Sequence, residues 1–158
     1  MRTARLATAS AFRAARRLAR GILVGMPTVE ISDETLVIVD RVAIATVVSD
    51  PVRWTQWWPD CDVTVILDRG VDGMRWSVRG ALVGYSEVRL LARPDGVVIH
   101  YLLTADPTVP GSRTQPRIIP DSPRGRRELQ ELRRRQLMAW KSTVWAMMET
   151  LGATAPSE

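Results

Sequence analysis

The stretch Arg126–Leu151 contains neither Gly nor Pro, and it limits what this chain can become more than any other feature. Leu129, Leu132, Leu137, Trp140, Val144, Met147 and Leu151 recur at steps of three to five, with Met148 beside Met147. That spacing gathers them on one broad stripe of a 3.6-residue helix. As a single helix the stretch would be about 39 Å long at 1.5 Å per residue. A helix of that length crosses a whole small domain and needs a wide apolar surface to lie on. The segments before it must supply that surface.

They do so as strands. Thr35–Val39 is a β-branched run and reads as the first. Asp40 is a helix N-cap, and Ser49-Asp50-Pro51 opens a second helix with Pro in a tolerated first-turn position. Two short helices are therefore expected, Arg41–Ser49 and Pro51–Trp57, the second stopped by Pro59. Val63, Val65 and Leu67 alternate with Thr64 and Ile66, and Asp68–Gly73 reads as a turn. Met74, Trp76 and Val78 alternate with Arg75, Ser77 and Arg79 in the cleanest period-two pattern of the chain. Gly80–Gly84 is a bulge or a tight turn. Ser86, Val88 and Leu90 then alternate with Tyr85, Glu87 and Arg89. Pro94-Asp95-Gly96 is a hairpin turn, and Val97–Thr104 is apolar enough to have both faces covered. Consecutive strands with short turns make an antiparallel meander. Asp106–Arg126, rich in Pro and Arg, is a long loop, with Ile118-Ile119 as a short strand or a plug against the core. Gly152 stops the long helix, and residues 153–158 are a tail.

At 158 residues the chain is one domain with a sizeable core, spanning residues 28–152. No apolar run approaches the ~18–20 residues that span a bilayer. The single cysteine, Cys61, allows no internal disulfide, and a reducing cytoplasm is the expected compartment. His100 is the only histidine, which excludes a His-rich metal site, and no metal or cofactor is expected. The net charge of +5 is unevenly spread. Residues 1–25 carry six arginines and no acid, so the rest of the chain sums to −1. This Arg/Ala-rich extension, 1–26, is kept outside the fold. It reads as sequence upstream of a natural start at Met26, as an amphipathic arm for an anionic surface, or as a targeting segment whose apolar stretch is too short for secretion.

Trp54, Trp57 and Trp58 sit within five residues, and Trp76, Trp140 and Trp145 complete the set of six. A first strand and two short helices bear Ser49-Asp50-Pro51-Val52-Arg53-Trp54-Thr55-Gln56-Trp57-Trp58-Pro59. An antiparallel meander and one long C-terminal helix follow. This order resembles the START-like (SRPBCC) superfamily, and more narrowly its polyketide cyclase/dehydrase and lipid-transport family. The resemblance covers about Thr28–Leu151. It implies an α+β helix-grip fold, in which a curved antiparallel sheet wraps the long helix and leaves an apolar cavity. The chain departs from the family in two ways. Arg41-Val42 and Ala45-Thr46 stand where a Pro and a helix aromatic are usual. The first strand and the four-stranded meander also make five strands where six or seven are usual, which leaves an open sheet edge suited to a homodimer.

Three functions follow as expectations. The first is binding or transport of an apolar or amphipathic small molecule, such as a lipid, polyketide or isoprenoid, by burial in a pre-formed pocket. The expected lining from the helices is Trp57, Trp58, Trp140, Val144 and Met147; from the strands it is Trp76, Val78, Val88, Leu90, Ile99 and Tyr101. The second is a cyclase/dehydrase-type enzyme, for which the chain offers Glu87, Arg89, His100, Tyr101 and Tyr85 as candidate acid–base groups. Tyr101 and His100 are opposite in phase on a strand, so only one of them can face a cavity. The third is a module contacting RNA, the ribosome or an anionic membrane through Arg13–Arg20 and Arg124–Arg135.

Overall fold

The computed structural model describes residues 28–153; the N-terminal extension and the tail beyond Ala153 lie outside the described residues. The fold is α+β. Strand β1 (Val29–Val37) is followed by helices α1 (Arg41–Val48) and α2 (Pro51–Trp57). Strands β2 (Cys61–Asp68), β3 (Gly73–Gly80), β4 (Leu82–Arg93) and β5 (Gly96–Pro107) come next, and helix α3 (Pro123–Leu151) closes the chain. The five strands form one open antiparallel sheet in the order β1-β5-β4-β3-β2. The α1–α2 corner thus carries the chain from one edge strand to the other. Its two N-caps are the expected ones: the Asp40 and Asp50 carboxylates accept from the backbone of Val42 and Val52.

One face of the sheet carries the core. Met74, Trp76 and Val78 of β3, Val88 and Leu90 of β4, and Val97, Ile99, Tyr101, Leu103 and Ala105 of β5 are buried there. Ile44, Val47 and Val48 of α1 and Trp140, Val144, Met147 and Met148 of α3 pack onto them. The other face is uncovered by helices. Here β5 departs from its expected pattern: its residues alternate buried and half-exposed, so only one face is sealed. A central strand can be apolar on both sides without being covered on both.

The first strand also differs, beginning at Val29 rather than Thr35. Val29, Ile31 and Val37 point into the core, but the inward positions between them are Asp33 and Thr35, and the polar pair hides the period. Asp33 points inward to meet α3. Its carboxylate accepts from the Trp140 indole N–H at 3.0 Å and pairs with Lys141 Nζ at 2.7 Å. The Trp140 ring lies flat on Tyr101 of β5, centroids 3.9 Å apart and planes 8° from parallel. Helix α3 is thereby pinned to both outer strands of one sheet edge.

Helix α3 covers the whole of Pro123–Leu151, so it begins inside the expected Asp106–Arg126 loop. Pro123 occupies its first turn, and Ser122 Oγ accepts from the Gly125 amide at 3.0 Å. Gly125 is needed for contact rather than flexibility: a Cβ there would lie 1.9 Å from the Pro120 carbonyl oxygen. Gly152, in the left-handed region at φ 61°, ends the helix as expected. Ile119 plugs against the core, whereas Ile118 is 87% exposed.

Replacing Asp33 by Ala removes the acceptor of a half-buried indole N–H and of Lys141 together. We expect a loss of about 2 kcal/mol, within the range for stranding buried donors and discounted because Lys141 is partly exposed. Asp33→Asn should lose about half as much. Urea midpoints of the two variants at constant m-value check both figures.

Candidate functional site

The buried stripe of α3 has a gap. Leu132 and Trp140 are buried, but the helix between them is largely exposed, Leu137 included. In this interval α3 spans a groove of about 800 Å³. Leu132, Arg135, Gln136 and Ala139 form its helical wall, and Trp57, Trp58 and Pro59 form the α2 wall. Its floor is Cys61 of β2 with the tight Gly80-Ala81-Leu82 link between β3 and β4. The β5–α3 loop closes the fourth side through Pro107–Arg113 and Arg117.

That loop is long but ordered by its own backbone. Val109 donates to Gln115 at 2.9 Å and Arg117 to Pro107 at 2.7 Å, with a bridge between Thr108 and Pro116. The Thr108 hydroxyl donates to the Gly80 carbonyl at 2.6 Å, tying the loop to the β3–β4 link. Two ion pairs strap it sideways: Arg113 to Asp62 on β2, and Arg117 to Glu128 on α3.

The aromatic residues divide by role. Trp54 and Trp58 pack on the fully buried Trp76, with centroids 5.7 and 5.2 Å away. The Trp54 indole donates to the Val48 carbonyl at 2.8 Å and holds the α1–α2 corner. Trp57 is half-buried and turns outward. It stands on the ridge between the main groove and a second one of about 470 Å³, which runs under Ala139, Ser142, Thr143, Ala146 and Met147. Pro59 and Ala139 line both.

Of the residues expected to line a cavity, Trp57 and Trp58 border the main groove and Met147 the second. Tyr101 and Trp140 reach only a slot of about 10 Å³ beside Trp57 and Trp58. Trp76, Val78, Val88, Leu90, Ile99 and Val144 are packed among core neighbours and border none of these three spaces. These six residues belong to the core cluster, and the grooves described here lie at the α2 and loop end of the sheet–helix interface. Leu82, Pro107 and Arg117 were not singled out in the sequence, and Leu132 and Arg135 appear there only in the helical stripe and the basic cluster, not as lining. Leu132 and the arginines carry no period-two or cavity signal of their own; only the sheet order brings them together.

Glu87, Arg89 and His100 lie on the opposite, uncovered face. Glu87 is only 5% exposed, held among Arg69, Arg75 and Arg89 at 3.4–3.7 Å, so it is a buried carboxylate and not a solvated partner of Arg89 alone. His100 Nε2 lies 3.2 Å from the Ser32 hydroxyl across the β1–β5 pair. Tyr101, one residue on, faces the core. Below it in the core lie Trp76 Nε1 and Ser86 Oγ, neighbours in register; the indole N–H has no hydrogen-bond partner among the described residues, and the Ser86 hydroxyl faces the Tyr101 phenol.

No group of three or more His, Cys, Asp or Glu among the described residues could hold a metal ion. Among them, too, no helix is long and apolar enough to cross a membrane. No protein-family model matches the chain, and no curated protein matches it significantly.

Two groups near the groove titrate unusually. Burial pushes the Cys61 thiol above its ordinary 9.0, against the backbone hydrogen bonds of Leu82 and Ala81 and with help from Asp60. Burial likewise pushes the Tyr101 phenol above 10.0, against the pull of Ser86 and Trp58. Both groups hold their protons more tightly folded than unfolded. Their stabilising contribution is complete below the unfolded pKa and disappears as pH rises through the folded one. Stability should therefore decline from about pH 9 upward. Cys61→Ser and Tyr101→Phe should each flatten that decline in thermal melts between pH 8 and 11. Alkylation of Cys61 in the folded chain at pH 8 should run well below the rate of a free thiol.

Proposed function

We propose that this protein binds an apolar or amphipathic small molecule in the groove between α2, the β3–β4 link, the β5–α3 loop and the long helix. The observation that carries the proposal is the volume itself. About 800 Å³ falls within the 300–1,000 Å³ range of small-molecule sites. The walls set Trp57, Trp58, Leu82, Pro107 and Leu132 against a polar side that includes Arg113, Arg117, Arg135 and Gln136, so a tail and a head would each find a partner. Covering about 300 Å² of ligand apolar surface would contribute roughly 7 kcal/mol before ordering costs, at 25 cal/mol per Å². That is enough to bind a lipid-like molecule without covalent or metal chemistry.

The helix-grip, START-like reading supports the same function. The element order, the Trp-rich α2 and the long C-terminal helix laid across an antiparallel sheet agree with it. In this reading the five-stranded sheet is an abbreviated grip. The strapped β5–α3 loop stands where further strands would close the side, and the ligand space has moved from the centre of the sheet to that side. The cyclase/dehydrase alternative draws no support from Glu87, Arg89 or His100, which project from the face away from the groove.

Native mass spectrometry on the full chain from its own host should show a co-purifying apolar molecule, released on denaturation. Ala139→Trp, placed on an exposed helical position shared by both grooves, should abolish that adduct while leaving the thermal midpoint within a few degrees. An adduct-free wild type that also binds no lipid-like probe in calorimetry would overturn the proposal.

A further inference from the structure

The groove is not evenly polar. Three arginines line it, Arg113, Arg117 and Arg135, against two carboxylates, Asp60 and Glu128. Two of the arginines are spent holding the loop: Arg113 on Asp62 and Arg117 on Glu128. Arg135 is different. The carboxylate one turn before it, Glu131, is held by Arg134 through both oxygens, at 2.9 and 3.2 Å, and Glu128 is occupied by Arg117. Arg135 thus has no ion pair within 4 Å among the described residues, although its charge adds to the pull that lowers the Glu131 pKa. The remaining carboxylate of the lining, Asp60, pairs with none of the three arginines and acts on Cys61 at the β2 wall.

A guanidinium with an open fork therefore stands exposed on the rim of a groove of mixed polar and apolar lining, one helical turn from Ala139, where the main groove meets the second one. Guanidinium suits planar, two-point recognition of a carboxylate or phosphate. Resting on the reading of this groove as the binding site, we propose that it selects amphiphiles ending in a single anionic group, which Arg135 receives while the tail lies on Trp57 and Trp58. The arrangement also orients the ligand. Its head stays at the loop end, and its tail points over Ala139 toward Met147 in the second groove.

The test is isothermal titration of the full chain at pH 7 and low salt with decanoate, 1-decanol and decylamine, each below its micellar concentration. Decanoate should bind about tenfold tighter than decanol, and decylamine more weakly than either. Arg135→Gln should bring decanoate to the level of decanol and leave the decanol constant within twofold. Arg135→Lys should restore part of the difference. Decanoate and decanol binding equally to the wild type, a gap that survives Arg135→Gln, or decylamine binding tightest would each overturn the anion assignment and leave the groove as an apolar site. If none of the three binds, the failure lies with the binding-site reading itself.

Discussion

The structure depends on how one long helix is fastened to the edge of a sheet. Apolar burial alone would hold α3 on the sheet but would not set its position, because a stripe of Leu, Val and Met can slide with little penalty. Asp33, Trp140, Lys141 and Tyr101 remove that freedom. The indole must stack on the phenol of β5 and direct its N–H at a carboxylate of β1, while the ammonium one residue on takes the second oxygen. Directional contacts of this kind add about 2 kcal/mol to the burial beneath them, yet they choose one register among many. With α3 pinned at Trp140, its preceding turns are carried past the end of the packed core. The groove is the space they cross.

A groove in that position also needs a far wall, and the β5–α3 loop provides it. Loops of this length usually sit on the surface with few contacts. Here Pro limits the backbone, short-range hydrogen bonds fold the segment on itself, and two Arg–carboxylate pairs fix it to β2 and α3. Exposed pairs of this type contribute little stability each. Their effect is geometric: they keep the loop from collapsing onto Trp57 and Leu82. The same ion pairs consume the charges around them, which is why one guanidinium at the mouth is left for something else.

The uncovered face of the sheet follows a separate logic. Glu87 is withdrawn from water by three arginines, and Arg75 also lies 5.0 Å over the Tyr85 ring. An unneutralised carboxylate at that burial would be costly, and three partners compensate it on a face that no helix shelters.

Much of the architecture was legible before any coordinates. The helix period, the Asp40 and Asp50 caps, the Pro94-Asp95 hairpin and the Met74–Arg79 alternation are local signals, and local signals set local structure. The β1 start was not legible, because an inward-facing Asp33 breaks the alternation for a reason located at Trp140, far along the chain. Nor was the site. Trp57 and Trp58 announced themselves by composition, but Trp76, Val78, Val88, Leu90 and Ile99 satisfy a cavity pattern and a solid-core pattern equally well, since both require apolar residues on one face of a strand. Which of the two occurs depends on how far the helix stands from the sheet at each point. The sequence by itself determined the elements, their order and the antiparallel class, all of which are written in periods of two and 3.6 residues. Only the tertiary structure decided where the packing stops and open volume begins, because that is a distance between segments that no single segment encodes.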